Sequence, residues 1–160
     1  MASMRTTLKI AIQKTMAWLE ALQPLALLGA RLFVGQAFFL AGLTKLRDWD
    51  TTLALFADEY QVPLLAPEVA AVAGTAGELV LPVMLVLGLG GRFAAAGLFV
   101  VNAVAVVSLM EIAPAALQQH QFWGSLLVAV LLWGPGRWSV DHAMKTRFWP
   151  DATLGWGHAR

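Results

Sequence analysis

The stretch "VAAVAGTAGELVLPVMLVLGLG", from Val69 to Gly90, decides the fold of this protein. Its one ionisable side chain is Glu78, and the other residues are apolar or small. A helix of roughly 20 mostly apolar residues is long enough to cross the hydrocarbon core of a bilayer. The stretch therefore predicts a membrane-spanning helix that carries a carboxylate near its middle.

The composition of the whole chain agrees with a membrane protein. Of its 160 residues, 59% are hydrophobic and 13% are charged, whereas soluble domains have roughly 45–50% apolar and 25% charged residues. The absence of cysteine excludes disulfides, thiol redox chemistry and cysteine-ligated metals. The sequence contains no phosphate-binding loop, nucleophile motif or basic nucleic-acid stripe. We therefore expect the lipid bilayer as a partner and no nucleic acid.

Four stretches are predicted as membrane spans. They cover about residues 24–46, 67–90, 92–113 and 119–134. Pro24 and Pro67 suit the first turn of a helix, where a proline costs no hydrogen bond. Only a glycine-rich turn separates the second span from the third, so these two helices should be antiparallel neighbours. The prediction is an all-α integral membrane four-helix bundle.

The spans divide the chain into three parts. Residues 1–23 form an N-terminal segment, residues 24–136 the transmembrane domain and residues 137–160 a C-terminal tail. In the first part, apolar residues such as Leu8 and Ile12 recur at helical spacing. That spacing predicts an amphipathic helix that lies along the membrane interface.

The basic residues predict the orientation of the chain. With four spans, both termini and the glycine-rich turn lie on one side of the membrane. The basic residues of that side are Arg5, Lys9, Lys14, Arg92, Arg137, Lys145, Arg147 and Arg160. Because positively charged residues stay in the cytoplasm, both termini are predicted to be cytoplasmic.

Polar side chains within the spans are the candidates for a functional site. A rise of 1.5 Å per residue places Arg31 about 10 Å, Asn102 about 15 Å and Glu78 about 18 Å from the cytoplasmic ends of their spans. Antiparallel packing would then bring these three side chains within reach of one another. An isolated charge at the bilayer centre costs at least roughly 2.5–3.5 kcal/mol. We therefore expect Glu78 to pair with Arg31 or to be protonated.

A second polar group is expected near the opposite face, formed by Lys45, Glu111 and His120. Two interpretations of the polar groups remain open at this point. Buried ion pairs can fix the register between helices without taking part in chemistry. Intramembrane ionisable residues also mark ligand and proton sites. No metal site is predicted, and no residue is assigned a catalytic role.

Three segments together resemble the DoxX family of small four-helix bacterial membrane proteins. "RLFVGQAFFLAGLTK" carries Arg31 and Lys45 at fixed offsets, "GELVLPVMLVLGLGGR" follows in the second span, and the fourth span ends in "LLWGPGRWSVD". The resemblance covers about residues 27–141. Many relatives have an acidic residue early in the fourth span, where this chain reads "QQHQFWGSLL". Either His120 or Gln121 replaces that acid, or the site is absent.

The resemblance implies a location in the bacterial inner membrane and a link to oxidoreductase assemblies, such as a subunit of thiosulfate:quinone oxidoreductase. It also implies a polar centre of Arg31, Lys45 and Glu78. On this basis we expect an accessory or quinone-handling subunit in which Glu78 relays a proton and Arg31 holds its charge or binds a quinone carbonyl. Such a subunit is not expected to be redox-active alone, so either a bound quinone or a partner protein would have to supply the redox couple.

Two other function classes stay open on the sequence. One is a non-catalytic membrane scaffold or assembly factor, and the other is a transporter of small solutes or lipids. The small residues on the helix faces would also allow a homo-oligomer.

Overall fold

A computed structural model describes residues 2–148, with side chains described from Thr6 onward. This part of the chain forms six helices. They are α1 (Ala2–Arg47), α2 (Trp49–Asp58), α3 (Pro67–Leu87), α4 (Gly91–Ser108), α5 (Pro114–Trp133) and α6 (Val140–Phe148). The all-α prediction is confirmed for these residues. Of the predicted C-terminal tail, residues 149–160 lie outside the described part.

Helix α1 corrects the predicted boundary at Pro24. The helix is continuous from Ala2 to Arg47, and Pro24 lies inside it rather than in a first turn. A proline removes one backbone hydrogen bond from a helix, and the Leu, Ala, Glu and Gln residues on both sides favour helix strongly. The helix therefore continues through the proline. No turn separates residues 6–22 from the span, so they extend α1 instead of forming a separate interfacial helix.

Three helices are long and apolar enough to cross a membrane: α1 from Thr6, α3 and α4. Pro67 begins α3 as predicted, and Gly88 ends it in the left-handed conformation (φ 66°). Helix α5 begins at Pro114, earlier than expected, because a proline with an extended residue before it is a favourable helix start. Its first half contains "QQHQ", which makes it less apolar than the other three helices.

The four longest helices pack around one hydrophobic core. Helix α1 packs against α3 and α5, and α4 also packs against α3 and α5. The most deeply buried apolar side chains of this core include Val34, Leu85, Leu98, Leu127 and Val130. Many other large apolar side chains remain exposed on the outer surface, as expected for helices that face lipid.

Small residues set the register between α1 and α3. A Cβ atom added at Gly35 would lie 2.6 Å from Val86 Cγ2, and one added at Gly42 would lie 2.9 Å from Leu79 Cγ. The backbones can approach this closely only because both positions are glycine. Gly35 is thereby held beside the last turns of α3 and Gly42 beside its middle. This register decides which polar side chains of the two helices can meet.

Helix α2 covers the start of α3. Its first turn is capped by Asp48, whose carboxylate accepts hydrogen bonds from the hydroxyl and the backbone amide of Thr51. These bonds hold the pKa of Asp48 below its ordinary value. At the other end, Phe56 packs against Ala70 and Ala71 of α3. Beyond α2, the amide of Gln61 donates to the carbonyl of Ser108 (2.8 Å), which ties the α2–α3 loop to the end of α4.

Candidate functional site

Glu78 pairs with Lys45, at the end of α1 next to α2. The Nζ atom of Lys45 lies 2.8 Å from Oε1 and 2.6 Å from Oε2 of Glu78. The side chains are 23% and 10% exposed, respectively. An ammonium group has three N–H donors, and two of them are used by the carboxylate. Within the described part of the chain no other acceptor is recorded for the third donor.

The Lys45–Glu78 pair lies against a cavity of about 210 Å³ between α3 and α4. Most of the lining is apolar and comes from the facing sides of these two helices and from Phe56. The polar lining residues are Lys45, Tyr60, Glu78 and Ser108. The hydroxyl of Ser108 donates to the carbonyl of Val104 within α4, so that hydroxyl proton is already used. The cavity therefore combines apolar walls with one ion pair and one phenol.

The cavity is covered by the α2–α3 loop and reaches the surface between α3 and α4. Tyr60 lies in this loop, and its ring packs at a tilt against that of Phe56, with the ring centroids 4.9 Å apart. Burial, followed by the nearby carboxylates of Glu59 and Glu78, raises the pKa of the Tyr60 phenol. Two other lining residues, Leu65 and Val100, are 46% and 59% exposed. An apolar molecule could therefore reach the cavity from the side of the helices that faces lipid.

Arg31 does not contact Glu78, and this part of the sequence prediction is wrong. Arg31 and Lys45 are fourteen residues apart on α1, which corresponds to about 21 Å along the helix axis. The close contact of Gly42 with the Cβ of Glu78 (3.1 Å from an added Cβ) places the carboxylate near Lys45. The depth estimate failed because it measured α1 from Pro24, whereas the helix continues beyond that residue.

Arg31 instead joins three segments at the other end of the structure. It is fully buried, and its guanidinium donates to the carbonyls of Val86 (3.2 Å) and Trp138 (2.6 Å). Next to it, the carboxylate of Asp141 accepts hydrogen bonds from the backbone amides of Gly90 and Gly91, both at 2.8 Å. These amides belong to the unpaired N–H groups at the start of α4. Arg31 and Asp141 thus hold the ends of α3, α4 and α5 together.

Asn102 also makes a different contact from the one predicted. Its Nδ2 donates to the carbonyl of His120 (3.0 Å), and its Oδ1 lies 2.8 Å from Nδ1 of the same residue. Because Oδ1 is an acceptor, Nδ1 of His120 carries the proton in this contact. The His120 ring packs edge-on against Trp123. The pair links α4 to α5 and lies outside the lining of the cavity.

The predicted second group of Lys45, Glu111 and His120 does not form. Lys45 contacts Glu78, His120 contacts Asn102, and Glu111 is exposed. Glu111 follows the end of α4 at Ser108, so it leaves the helix before it can point toward the other two residues. Within the described residues, no group of three or more His, Asp or Glu side chains is arranged to hold a metal.

Two residues of these sites were not predicted from the sequence. One is Tyr60, the single tyrosine of the chain. The other is Asp141, the last residue of the segment "LLWGPGRWSVD". Arg31 and Lys45 do belong to one stripe of α1, in which Arg31, Gly35, Phe38, Gly42 and Lys45 recur at alternating spacings of four and three. Such a stripe faces one neighbouring helix, and it places Arg31 and Lys45 at opposite ends.

Comparison with known proteins supports the family resemblance. The DoxX family model matches residues 26–111, more than half of the chain. The matched part contains Lys45, Tyr60 and Glu78 and therefore the cavity, whereas His120 and Asp141 lie beyond it. No curated protein and no solved structure matches the chain.

Proposed function

The chain belongs to the DoxX family, and from this premise we propose that it is an integral membrane accessory subunit that binds a quinone headgroup for a membrane oxidoreductase system. The observation that carries the proposal is the apolar cavity with the Lys45–Glu78 pair at its wall. The desolvation of a buried ion pair can cost more free energy than the attraction between the two charges returns, so such a pair is a poor means of joining two helices. Its position beside a cavity instead gives a bound molecule a donor and a proton source.

The size of the cavity fits a single substituted ring. At about 210 Å³ it is smaller than the roughly 300–1,000 Å³ pockets of drug-sized ligands. It is larger than an apolar cavity of about 150 Å³ that binds benzene. A quinone ring would occupy the cavity, and its isoprenoid tail would leave through the opening between α3 and α4, where Val100 is exposed.

The chemistry follows from the two charged groups. The third N–H of Lys45 would donate a hydrogen bond to a quinone carbonyl. When the quinone takes up electrons, Glu78 would relay one proton from water to that oxygen, and the other quinone oxygen would take the second proton from water. Reduction to the quinol requires two electrons and two protons. A partner oxidoreductase supplies the electrons, because a chain without cysteine has no thiol couple of its own. Arg31 takes no part in this proposal, since it contacts backbone carbonyls about 21 Å from Lys45 along α1.

We also propose α5 as a fourth span, which places both termini in the cytoplasm of a bacterium and the protein in its inner membrane. With four spans, the α3–α4 turn, α6 and the start of α1 lie on one side. Arg92, Arg137 and Lys145 belong to that side, which agrees with the preference of basic residues for the cytoplasm. The cavity is then in the outer half of the bilayer.

The test is to identify small molecules that co-purify with the protein. The protein is purified in a mild detergent and extracted with organic solvent, and the extract is analysed by mass spectrometry. We expect a quinone at near one per chain in wild type and a loss of it in Glu78→Gln. Glu111→Gln is the matched control, because Glu111 is an exposed carboxylate outside the cavity, and it should retain the quinone. An extract with phospholipid alone contradicts the proposal.

A second candidate function, a non-catalytic scaffold or assembly factor, is favoured by a different observation. Arg31 donates to carbonyls of α3 and of the segment after α5, and Asn102 donates to a carbonyl of α5, so both side chains join neighbouring helices. If the Lys45–Glu78 pair has the same role, Glu78→Gln should lower the amount of folded protein in the membrane. A Glu78→Gln protein that accumulates normally but loses quinone supports the first candidate.

A further inference from the structure

A second cavity lies at the opposite end of the structure, where α1, α5 and α6 meet. Its volume is about 840 Å³, and it is lined on one side by Glu20 and Gln23 of α1. The other side is formed by the turn after α5 and by the start of α6. The basic residues of the lining are Arg92, Arg137, His142 and Lys145. The Lys45–Glu78 cavity is separate from this one, so the inference does not depend on quinone binding; it rests on the proposed orientation of the chain in the membrane.

The basic side chains of this cavity are not neutralised by its acidic ones. Glu20 and Asp141 are the acidic lining residues, and both carboxylate oxygens of Asp141 accept bonds from backbone amides. Within residues 6–148, the only ion pair formed is Lys45–Glu78. Arg137 and Lys145 are exposed at the rim. An anionic group in the cavity would therefore meet arginine and lysine side chains that have no ionic partner in the described part of the chain.

A third cavity of about 470 Å³ continues from the basic one along the groove between α1 and α5. The two share Glu20, Gln23, Leu27 and Trp133. Beyond these shared residues the groove is apolar and extends to Ala30 and Leu126. The groove extends about 10 Å along α5, from Trp133 to Leu126. It therefore reaches the apolar part of the helices. A basic cavity thus opens into an apolar groove.

We propose that the two connected cavities bind one anionic phospholipid, with its phosphate between Arg92, Arg137 and Lys145 and an acyl chain in the α1–α5 groove. Basic sites between helices at the cytoplasmic side of a membrane recognise acidic lipid headgroups. The ring of Trp133 lies where the two cavities join, and tryptophan is favoured at the level of lipid headgroups. The long extension of α1 before Pro24 supplies one wall of the site, through Glu20 and Gln23.

The site can be tested with delipidated protein in a mild detergent, by native mass spectrometry with dioleoyl phosphatidylglycerol or dioleoyl phosphatidylcholine as the added lipid. We expect phosphatidylglycerol to bind more tightly than phosphatidylcholine. The double substitution Arg137→Gln and Lys145→Gln should weaken phosphatidylglycerol binding about 30-fold. Each basic residue near an anionic headgroup contributes about 5-fold in affinity, and the two contributions multiply. Arg47→Gln, at the other end of α1, is the matched control and should bind like wild type.

A second variant tests the groove without a change of charge. Ala129 lines the α1–α5 groove, and Ala129→Phe should fill it and weaken the binding of phosphatidylglycerol. Equal binding of the two lipids by wild type would overturn the proposal. Unchanged binding in the double variant would overturn it as well. Displacement of phosphatidylglycerol by inorganic phosphate alone would show a site for a free anion and would also overturn it.

Discussion

Replacement of Arg31 by methionine tests the structural role assigned to that arginine. The side chain is fully buried and donates to the carbonyls of Val86 and Trp138. Methionine keeps most of the aliphatic volume, so the main effect is the loss of both donors. A buried acceptor left without a partner costs about 1–3 kcal/mol. Both bonds are only partly buried, so water can partly replace the lost donors, and the expected loss is about 1–3 kcal/mol in the free energy of unfolding for the two together.

The assay is reversible unfolding in mixed micelles of a mild detergent and dodecyl sulfate, followed by circular dichroism. Arg92→Met is the matched control, because Arg92 is exposed and donates to a single carbonyl, that of Leu132. We expect the control to change the free energy of unfolding by no more than about 0.5 kcal/mol, as is usual for surface substitutions. If Arg31→Met is as stable as Arg92→Met, the assigned role of Arg31 is refuted.

Three further predictions concern other contacts. Gly42→Val should destabilise the protein by about 1–3 kcal/mol in the same unfolding assay, because its side chain must displace α3; an unchanged stability would contradict the α1–α3 register. Asn102→Leu should cost about 1–3 kcal/mol, since it leaves the Nδ1–H of His120 without its acceptor, and a neutral effect would show that the pair is dispensable. The pKa of Tyr60, measured from tyrosinate absorbance, should lie above its ordinary value near 10 and should fall in Glu78→Gln. Because the folded state favours the neutral phenol, stability should decrease as the pH rises above that ordinary value.

Local features of the fold could be predicted from the sequence. The apolar stretches predicted the helices α3 and α4, and Pro67 and Gly88 marked the two ends of α3. The short connection between α3 and α4 predicted that they are neighbours, and they pack together. These features depend on a few adjacent residues and on general rules of helix formation. The continuation of α1 through Pro24 was missed, because proline favours a helix start and is also tolerated inside a helix whose neighbouring residues favour it strongly.

The pairing of the polar residues was harder to predict, because it depends on how far one helix slides along another. Arg31 and Lys45 lie about 21 Å apart along α1, so the position of α1 along α3 decides which of them lies beside Glu78. That position is fixed by the contacts of Gly35 and Gly42 with α3, which are made across the fold. The presence of a buried carboxylate could thus be predicted, but its partner and the cavity beside it could not.

The single tyrosine of the chain provides the most direct test of the central claim, that the Lys45–Glu78 pair belongs to a quinone-binding cavity. Protein labelled with 3-fluorotyrosine carries one fluorine-labelled position, at Tyr60 in the wall of that cavity. We would titrate this protein with a short-chain quinone and record the fluorine NMR signal. We expect a saturable shift of the signal in wild type and in Glu111→Gln, and a loss of that shift in folded Glu78→Gln. A signal in wild type that does not respond to the quinone, or a response unchanged in Glu78→Gln, would contradict the central claim.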